Sequence, residues 1–279
     1  MSFAFQRFRR ALEARTGIAL GADKQYLAES RLSPIMRANG FPHISELVDA
    51  FERDDDSPLV QKVIDAMTTN ETLFFRDRTP FESFRAQILP SLLEARHADR
   101  SLRFWCAACS TGQEAYSLAM TLDQEARSLR GWTLDILATD LSTAAIETAR
   151  SGSYSQFEVQ RGLPTGHLLR YFHRKDETWR INEHLRARIE FRGFNLLSDF
   201  APLGKFDVIF CRNVLMYFEP ETRRAILDRL DRALNPGGYL FLGASEGTAE
   251  AGGVFSLVSG DGVWQARRED VKERRAMSA

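Results

Sequence analysis

Seven consecutive residues, Asn70-Glu71-Thr72-Leu73-Phe74-Phe75-Arg76, crowd an amide, an acid, a hydroxyl, two aromatic rings and a guanidinium into one short stretch. Polar groups that orient a ligand, beside rings that exclude water from it, make a pocket wall. The same composition also suits a junction between two domains, with the rings packed and the polar groups solvated. Further along, Ala108-Cys109-Ser110-Thr111-Gly112-Gln113-Glu114 sets small residues, which let a ligand approach the backbone, before a helix start whose first N–H groups lack partners. Asp140 closes an apolar run. An acid there either takes a ribose hydroxyl pair or caps the following helix. Asn195-Leu196 and Asn213-Val214 follow two further runs of strand character.

The turn at 108–114 is not G-x-G-x-x-G. It has a single glycine, and Glu114 stands near the helix start, where a pyrophosphate would meet it unfavourably and a zwitterionic or cationic ligand would not. That argues against a dinucleotide and for S-adenosylmethionine, which joins a ribose, an amino-acid end and a sulfonium. Cys106 and Cys109 have C-x-x-C spacing, but no second Cys/His pair completes a zinc pattern, so no metal is expected. Cys109 and Cys211 are expected at the ends of neighbouring strands, beside the cofactor. No Ser-His-Asp set is evident.

These residues need elements to hold them. Helical spacing recurs over residues 1–65, at Phe3, Phe5, Phe8 and Leu12, at Ile44, Leu47, Val48 and Phe51, and at Val60, Val63, Ile64 and Met67. From about residue 80, strands and helices alternate, and 206–211 is a nearly continuous apolar strand of the kind buried on both faces. Strand-helix alternation predicts an α/β fold with a doubly wound, mainly parallel sheet, where ligands bind beyond the carboxyl ends of the strands. Asn235-Pro236-Gly237-Gly238 is expected to stop a helix before a strand at 238–243, and a hairpin is expected at 254–258 and 262–266.

The chain has 279 residues and a formal net charge of −1, which gives no global case for nucleic acid. Residues 1–40 carry seven Lys/Arg against three acids, a local excess suited to an acidic partner or to a solvated helix face. No apolar run is long enough for membrane insertion and no secretory h-region is present, so a cytoplasmic protein is expected.

The segments NETLFFR at 70–76, ACSTGQEAYS at 108–117, ATD at 138–140, NLL at 195–197 and FCRNVLMYF at 210–218 resemble, in order and spacing, the chemotaxis receptor methyltransferases of the CheR type. The resemblance runs from about residue 5 to residue 247. It implies a Rossmann-like class I methyltransferase sheet with a small N-terminal all-helical domain and a small β-insertion. The domains would be 1–68, a linker and cofactor lid at 69–79, and a methyltransferase domain at 80–268 with the insertion at about 165–192. A frayed tail would follow at 269–279.

The activity implied is esterification of glutamate side chains on chemoreceptor cytoplasmic helices, with S-adenosylmethionine as donor and S-adenosylhomocysteine as product. By motif, the cofactor site would be Asn70, Thr72, Arg76, Glu114, Asp140, Asn195, Leu196, Asn213 and Val214. Arg76 and Tyr217 would orient the substrate carboxylate, and Phe74 and Phe75 would keep the site dry. Arg31 and Arg37 match two receptor-contact positions of a basic helix, whereas Pro34 and Ile35 replace other basic positions. In some members the insertion grips a short peptide at the receptor's C-terminus. Here the 172–181 hairpin is short and lacks glycine in its loop, so independence of that tether is expected, as is a monomer. Two other classes remain. A nucleic-acid or small-molecule methyltransferase lacks support because Cys-Arg-Asn-Val is not the Pro-Pro-aromatic element of base N-methylation. A degenerate sensor would bind S-adenosylmethionine without transferring its methyl.

Overall fold

In the N-terminal region, apolar residues at helical spacing meet strong start and stop signals. A computed structural model describes residues 2–54, 57–249, 255–259 and 262–266. Helix α1 (Phe3–Thr16) begins at Ser2, whose hydroxyl accepts from the Phe5 amide, and ends at Gly17 in the left-handed region. Helices α2 (Gln25–Asn39), α3 (Ile44–Arg53) and α4 (Pro58–Met67) follow, the last with Ser57 as cap and Pro58 in its first turn. Phe5, Phe8, Leu12, Leu32, Leu47, Phe51, Val63 and Met67 form their common core. Each such side chain contributes about 1.5–3 kcal/mol by leaving water. Phe3 is the exception to the expected stripe: two residues before Phe5, it falls on the opposite side of the helix and is 76% exposed.

Helix α5 (Thr79–Ser83) continues through a π-type turn over Phe84–Ile88 into α6 (Leu89–Ala95). Pro90 cannot donate to the Ala86 carbonyl and its ring crowds that oxygen, which accounts for the widened turn. Strand β1 (Ser101–Ala107), α7 (Gln113–Gln124), β2 (Thr133–Asp140) and α8 (Thr143–Ser151) come next. A small subdomain intervenes: β3 (Ser153–Tyr154), α9 (Gln156–Gln160), α10 (Thr165–Tyr171), β4 (Phe172–Lys175), β5 (Thr178–Ile181) and α11 (Glu183–Arg186). The main sheet resumes with β6 (Ile189–Gly193), β7 (Phe206–Cys211), α12 (Pro220–Ala233), β8 (Leu234–Leu242), β9 (Phe255–Ser259) and β10 (Val263–Ala266).

The seven-stranded sheet runs β6-β2-β1-β7-β8-β10-β9. Its first five strands pair in parallel, and β10 is antiparallel to both neighbours. The order reverses between β1 and β7, which puts the topological switch at their carboxyl ends. The sheet is buried on both faces. Phe104, Cys106, Val208 and Phe210 face one apolar cluster, with α7 and the α5–α6 helix, and Trp105, Ala107, Ile209 and Cys211 face the other, with α12. All six residues of β7 are buried, as its nearly continuous apolar run implies, and the one charge in it, Asp207, is paired with Arg96.

Three boundaries differ from expectation. The insertion does not start at 165: Ser153–Tyr154 supplies a third strand to its sheet, in the order β3-β5-β4. Nor does it reach 192, because Ile189–Gly193 pairs with β2 in the main sheet. Strand β8 begins at Leu234, so Asn235-Pro236-Gly237-Gly238 lies within it, beside a register shift opposite Phe206–Val208. Val254, at the start of the expected hairpin, and the tail at 269–279 lie outside the described residues.

The helical domain docks onto α8. The Asp65 carboxylate accepts from the Thr143 amide (2.9 Å) and hydroxyl (3.0 Å) in the first turn of α8, and Gln61 donates to the Leu141 carbonyl. An acid there also meets the positive end of the helix.

Candidate functional site

A cleft opens at the carboxyl ends of β1, β2 and β7, closed on one side by the segment after α4. Asn70, Thr72, Arg76, Glu114, Asp140, Asn195, Leu196, Asn213 and Val214 all border it, and so does Tyr217. Five separate stretches of sequence therefore meet at one place, four of them following strands, where ligands bind in such sheets.

The loop after β1 gets its shape from alternating left-handed residues, Ala108 (φ 57°), Ser110 (φ 52°) and Gly112 (φ 95°). At Gly112 the glycine is required twice, by its φ and because a Cβ would come within 2.8 Å of the Ala149 Cβ on α8. The loop brings the Ser110 amide to Asp140 Oδ2 (2.7 Å), while the Ser142 amide reaches Oδ1 (2.9 Å). Burial raises the Asp140 carboxyl above its usual range, and the backbone donors from Ser142 and Ser110 oppose that shift. Each carboxylate oxygen has two lone pairs. Both oxygens thus keep acceptor capacity for a diol while the backbone fixes their position. The Ser110 hydroxyl also donates to the Asn70 carbonyl, tying the lid to the sheet.

Glu114 is not the unanswered acid that its place in the sequence suggests. Arg212 Nη1 donates to Glu114 Oε2 (3.0 Å), and Arg212 Nη2 donates to Asp77 Oδ2 (2.6 Å) and to the Arg76 carbonyl (3.0 Å). The Arg212 side chain is 1% exposed. Burial pushes the Glu114 carboxyl up, and Arg212 pulls it back by charge and by its hydrogen bond. With Arg212 beside it, Glu114 weighs less against a pyrophosphate than its place in the sequence implies. A salt-bridged carboxylate at a helix start still offers acceptor oxygens to an ammonium group.

Two expectations about the lid fail on packing. Phe74 is fully buried in the sheet-domain core, edge-on to Tyr154 and Phe172 at 5.1 and 5.5 Å between centroids. Phe75 packs edge-on to Phe81 and His167, against another part of the same core. Neither ring borders the cleft, whose apolar lining comes instead from Ile18, Met67, Leu141, Leu196, Val214 and Phe218. The backbone explains the split. Phe75, Asp77 and Arg78 all have positive φ, which turns consecutive side chains to different sides. Arg76 faces the cleft, with its Nη1 donating to the Glu71 carbonyl (3.1 Å).

Asn195 is committed differently from a ligand-binding amide. Its Nδ2 donates to the Arg15 carbonyl at the end of α1 (2.7 Å), and its Oδ1 accepts from the Leu197 amide (2.9 Å). The side chain therefore fastens the helical domain to the cleft rim. Asn213 has φ 58° and its amide donates to Glu246 Oε2. Glu246 also accepts from the amides of Gly243, Leu215 and Met216, so one carboxylate shapes the whole Asn213–Met216 turn.

Neither Arg31 nor Arg37 borders the cleft. Arg31 Nη1 donates to the Met67 and Thr68 carbonyls at the end of α4, a structural task within this chain beside the cleft, whereas Arg37 is exposed and its Nη1 donates to the Ser33 hydroxyl on its own helix. Cys109 borders the cleft but Cys211 does not, and burial raises both thiols well above the ordinary range. Sequence reasoning missed Arg212, Glu246, Thr16 and Ile18. A charged residue directly after six buried strand positions was a readable signal for Arg212; nothing local marks the other three.

The donor set fits S-adenosylmethionine. A backbone-fixed acid at the end of β2 suits the ribose, Glu114 suits the ammonium, and the aliphatic wall suits a purine.

Comparison with known proteins agrees. Residues 70–263 match the family model described as CheR methyltransferase, SAM binding domain, and residues 4–68 match CheR methyltransferase, all-alpha domain. The chain is 46% identical over 246 residues to the chemotaxis protein methyltransferase Cher2 of Pseudomonas putida, covering 87% of this chain and 89% of that one. It is 47% identical to chemotaxis protein methyltransferase 1 of Pseudomonas aeruginosa, with the same coverage. A chemotaxis protein methyltransferase of Vibrio parahaemolyticus is 38% identical over 257 residues, 91% of this chain and 92% of that one.

Proposed function

Since this chain belongs to the CheR methyltransferase family, we propose that it methylates glutamate side-chain carboxylates on the cytoplasmic helices of chemoreceptors. S-adenosylmethionine, when bound, supplies a methyl activated by its sulfonium. Asp140 would hold the ribose, Glu114 the ammonium, and the lid residues Asn70 and Thr72 the remaining polar edge. A glutamate with a reference pKa of about 4.3 is already ionised at neutral pH, so no general base is required. Arg76 and Tyr217 would orient the incoming carboxylate. Correct alignment is worth up to about 7–11 kcal/mol of the barrier. Orientation rather than tight pairing is expected of Arg76, because a strong ground-state ion pair would not speed the step.

The observation that carries this reading is the convergence of Asp140, Glu114 and Asn213, from three strand ends, with Arg76 and Tyr217 around one cleft. The chain would work in the cytoplasm, where those receptor helices lie; among the described residues, no helix is long and apolar enough to cross a membrane. Arg37, exposed on α2, is the better of the two candidate receptor contacts. The insertion hairpin turns through Asp176-Glu177 alone, which supports independence of a receptor tether peptide.

The test is incubation with receptor cytoplasmic fragments and S-adenosylmethionine, then peptide mapping by mass spectrometry. Methyl groups on glutamate support the reading; methyl groups on lysine, or none, contradict it. Calorimetry with the tether peptide alone should show no binding, and tight binding would remove the tether-independent part.

A further inference from the structure

The loop between α1 and α2 belongs to the helical domain, yet it lies on the rim of the cleft. Thr16, the last residue of α1, and Ile18 in the loop border the cleft directly. Ile18 forms an isolated antiparallel bridge with Phe218, and the Ala19 amide donates to the Tyr217 carbonyl at 2.8 Å. Gly17 makes this approach possible. Its φ is 74°, and a Cβ there would come within 2.8 Å of two Phe218 ring carbons and 3.0 Å of Leu197 Cδ2. Arg15, two residues earlier, offers its carbonyl to Asn195. A loop remote in sequence is thus pinned at both sides of the cleft mouth, with Gly17 at the tightest point.

We propose that residues Gly17–Ala19 are a strap by which the helical domain sets the backbone of Tyr217, and that Gly17 is a positioning residue for methyl transfer. The inference rests on the reading of Tyr217 as a substrate-orienting residue. The strap contacts no reacting atom. It fixes the Tyr217 carbonyl, and with it the direction of the phenol, while Ile18 narrows the donor side of the cleft. The helical domain is then part of the catalytic unit as well as a surface for the receptor.

The experiment is a double-mutant cycle on the full chain with receptor fragments at saturating S-adenosylmethionine. Gly17→Ala forces a left-handed alanine against Phe218 and should lower kcat about tenfold. In the Tyr217→Phe background the same change should cost less than about twofold, because the group it misplaces is gone. Ala19→Pro, which deletes the donor to Tyr217 without adding bulk at position 17, should repeat the pattern if Gly17→Ala folds poorly. A readout independent of turnover accompanies it. S-adenosylhomocysteine binding by calorimetry should weaken in Gly17→Ala, and the Ala19 amide should exchange its hydrogen faster. Equal losses of kcat in both backgrounds, or an unchanged kcat in Gly17→Ala and Ala19→Pro, would overturn the strap. Absence of transfer by the unmodified protein contradicts the proposed function instead, and calorimetry and hydrogen exchange then still decide whether the strap shapes the cleft.

Discussion

Replacing Arg212 with methionine should convert a pH-insensitive cofactor site into a pH-dependent one. Arg212 is buried, and its guanidinium divides between Glu114, Asp77 and the Arg76 carbonyl. Methionine has similar bulk and adds no charge. If Glu114 stayed ionised without its partner, the cost would be about 3–5 kcal/mol. The carboxyl avoids that by taking a proton. Burial already raises it, and the variant loses the largest opposing influence, keeping only the weaker one from Arg76. A protonated Glu114 is a poor partner for an ammonium. Affinity for S-adenosylhomocysteine near pH 7 should therefore fall by about 2–3 kcal/mol, roughly 30- to 150-fold. It should recover toward alkaline pH as the carboxyl ionises.

The assay is calorimetric titration across about pH 6 to 9, in two buffers of different ionisation enthalpy to count protons. The unmodified protein should bind with nearly constant affinity, and the variant should release close to one proton on binding below its new Glu114 pKa. Stability follows the same sign. A carboxyl raised in the folded state contributes stability that is fully present below its unfolded pKa and lost as pH rises through the folded one. The variant's thermal midpoint should thus decline relative to the unmodified protein as pH increases. Equal affinity for the two proteins at every pH would refute the ammonium role of Glu114 and the supporting role of Arg212.

Arg76→Ala should lose most methyl transfer while its affinity for S-adenosylhomocysteine changes by less than the loss in kcat, and turnover equal to the unmodified protein would remove Arg76 from the substrate contacts. Asp140→Ala should mainly weaken cofactor binding, by about 1–3 kcal/mol in calorimetry for two lost charged hydrogen bonds; an unchanged dissociation constant would contradict the ribose role. Phe74→Ala should lower stability to denaturant by about 3–5 kcal/mol, because the ring fills the core, while the folded fraction keeps its cofactor affinity. A large affinity loss without destabilisation would return Phe74 to the cleft wall.

The sheet was legible where chemistry is local. The run of β7, apolar but for Asp207, marked a strand buried on both faces, and Asp140 marked the end of β2. The nine cofactor residues implied by the family resemblance all border the cleft. What stayed hidden depends on contacts far apart in sequence. Asn195 reaches back to Arg15, Glu246 gathers the amides around Asn213, and Arg31 serves the end of α4. The two phenylalanines of the lid misled because composition cannot tell which side a ring takes where the backbone turns through positive φ. The insertion was underestimated because β3 has two residues, too few to show periodicity.

The central claim is that a carboxylate receives the methyl group. The direct measurement uses methyl-labelled S-adenosylmethionine with receptor cytoplasmic fragments, followed by mild base and collection of volatile label. A carboxyl ester predicts that the bound label leaves as methanol and that glutamate-to-alanine changes at the mapped positions abolish it. Label that resists base would mean methylation at nitrogen, and cofactor binding without any transfer would mean a sensor; either contradicts the account.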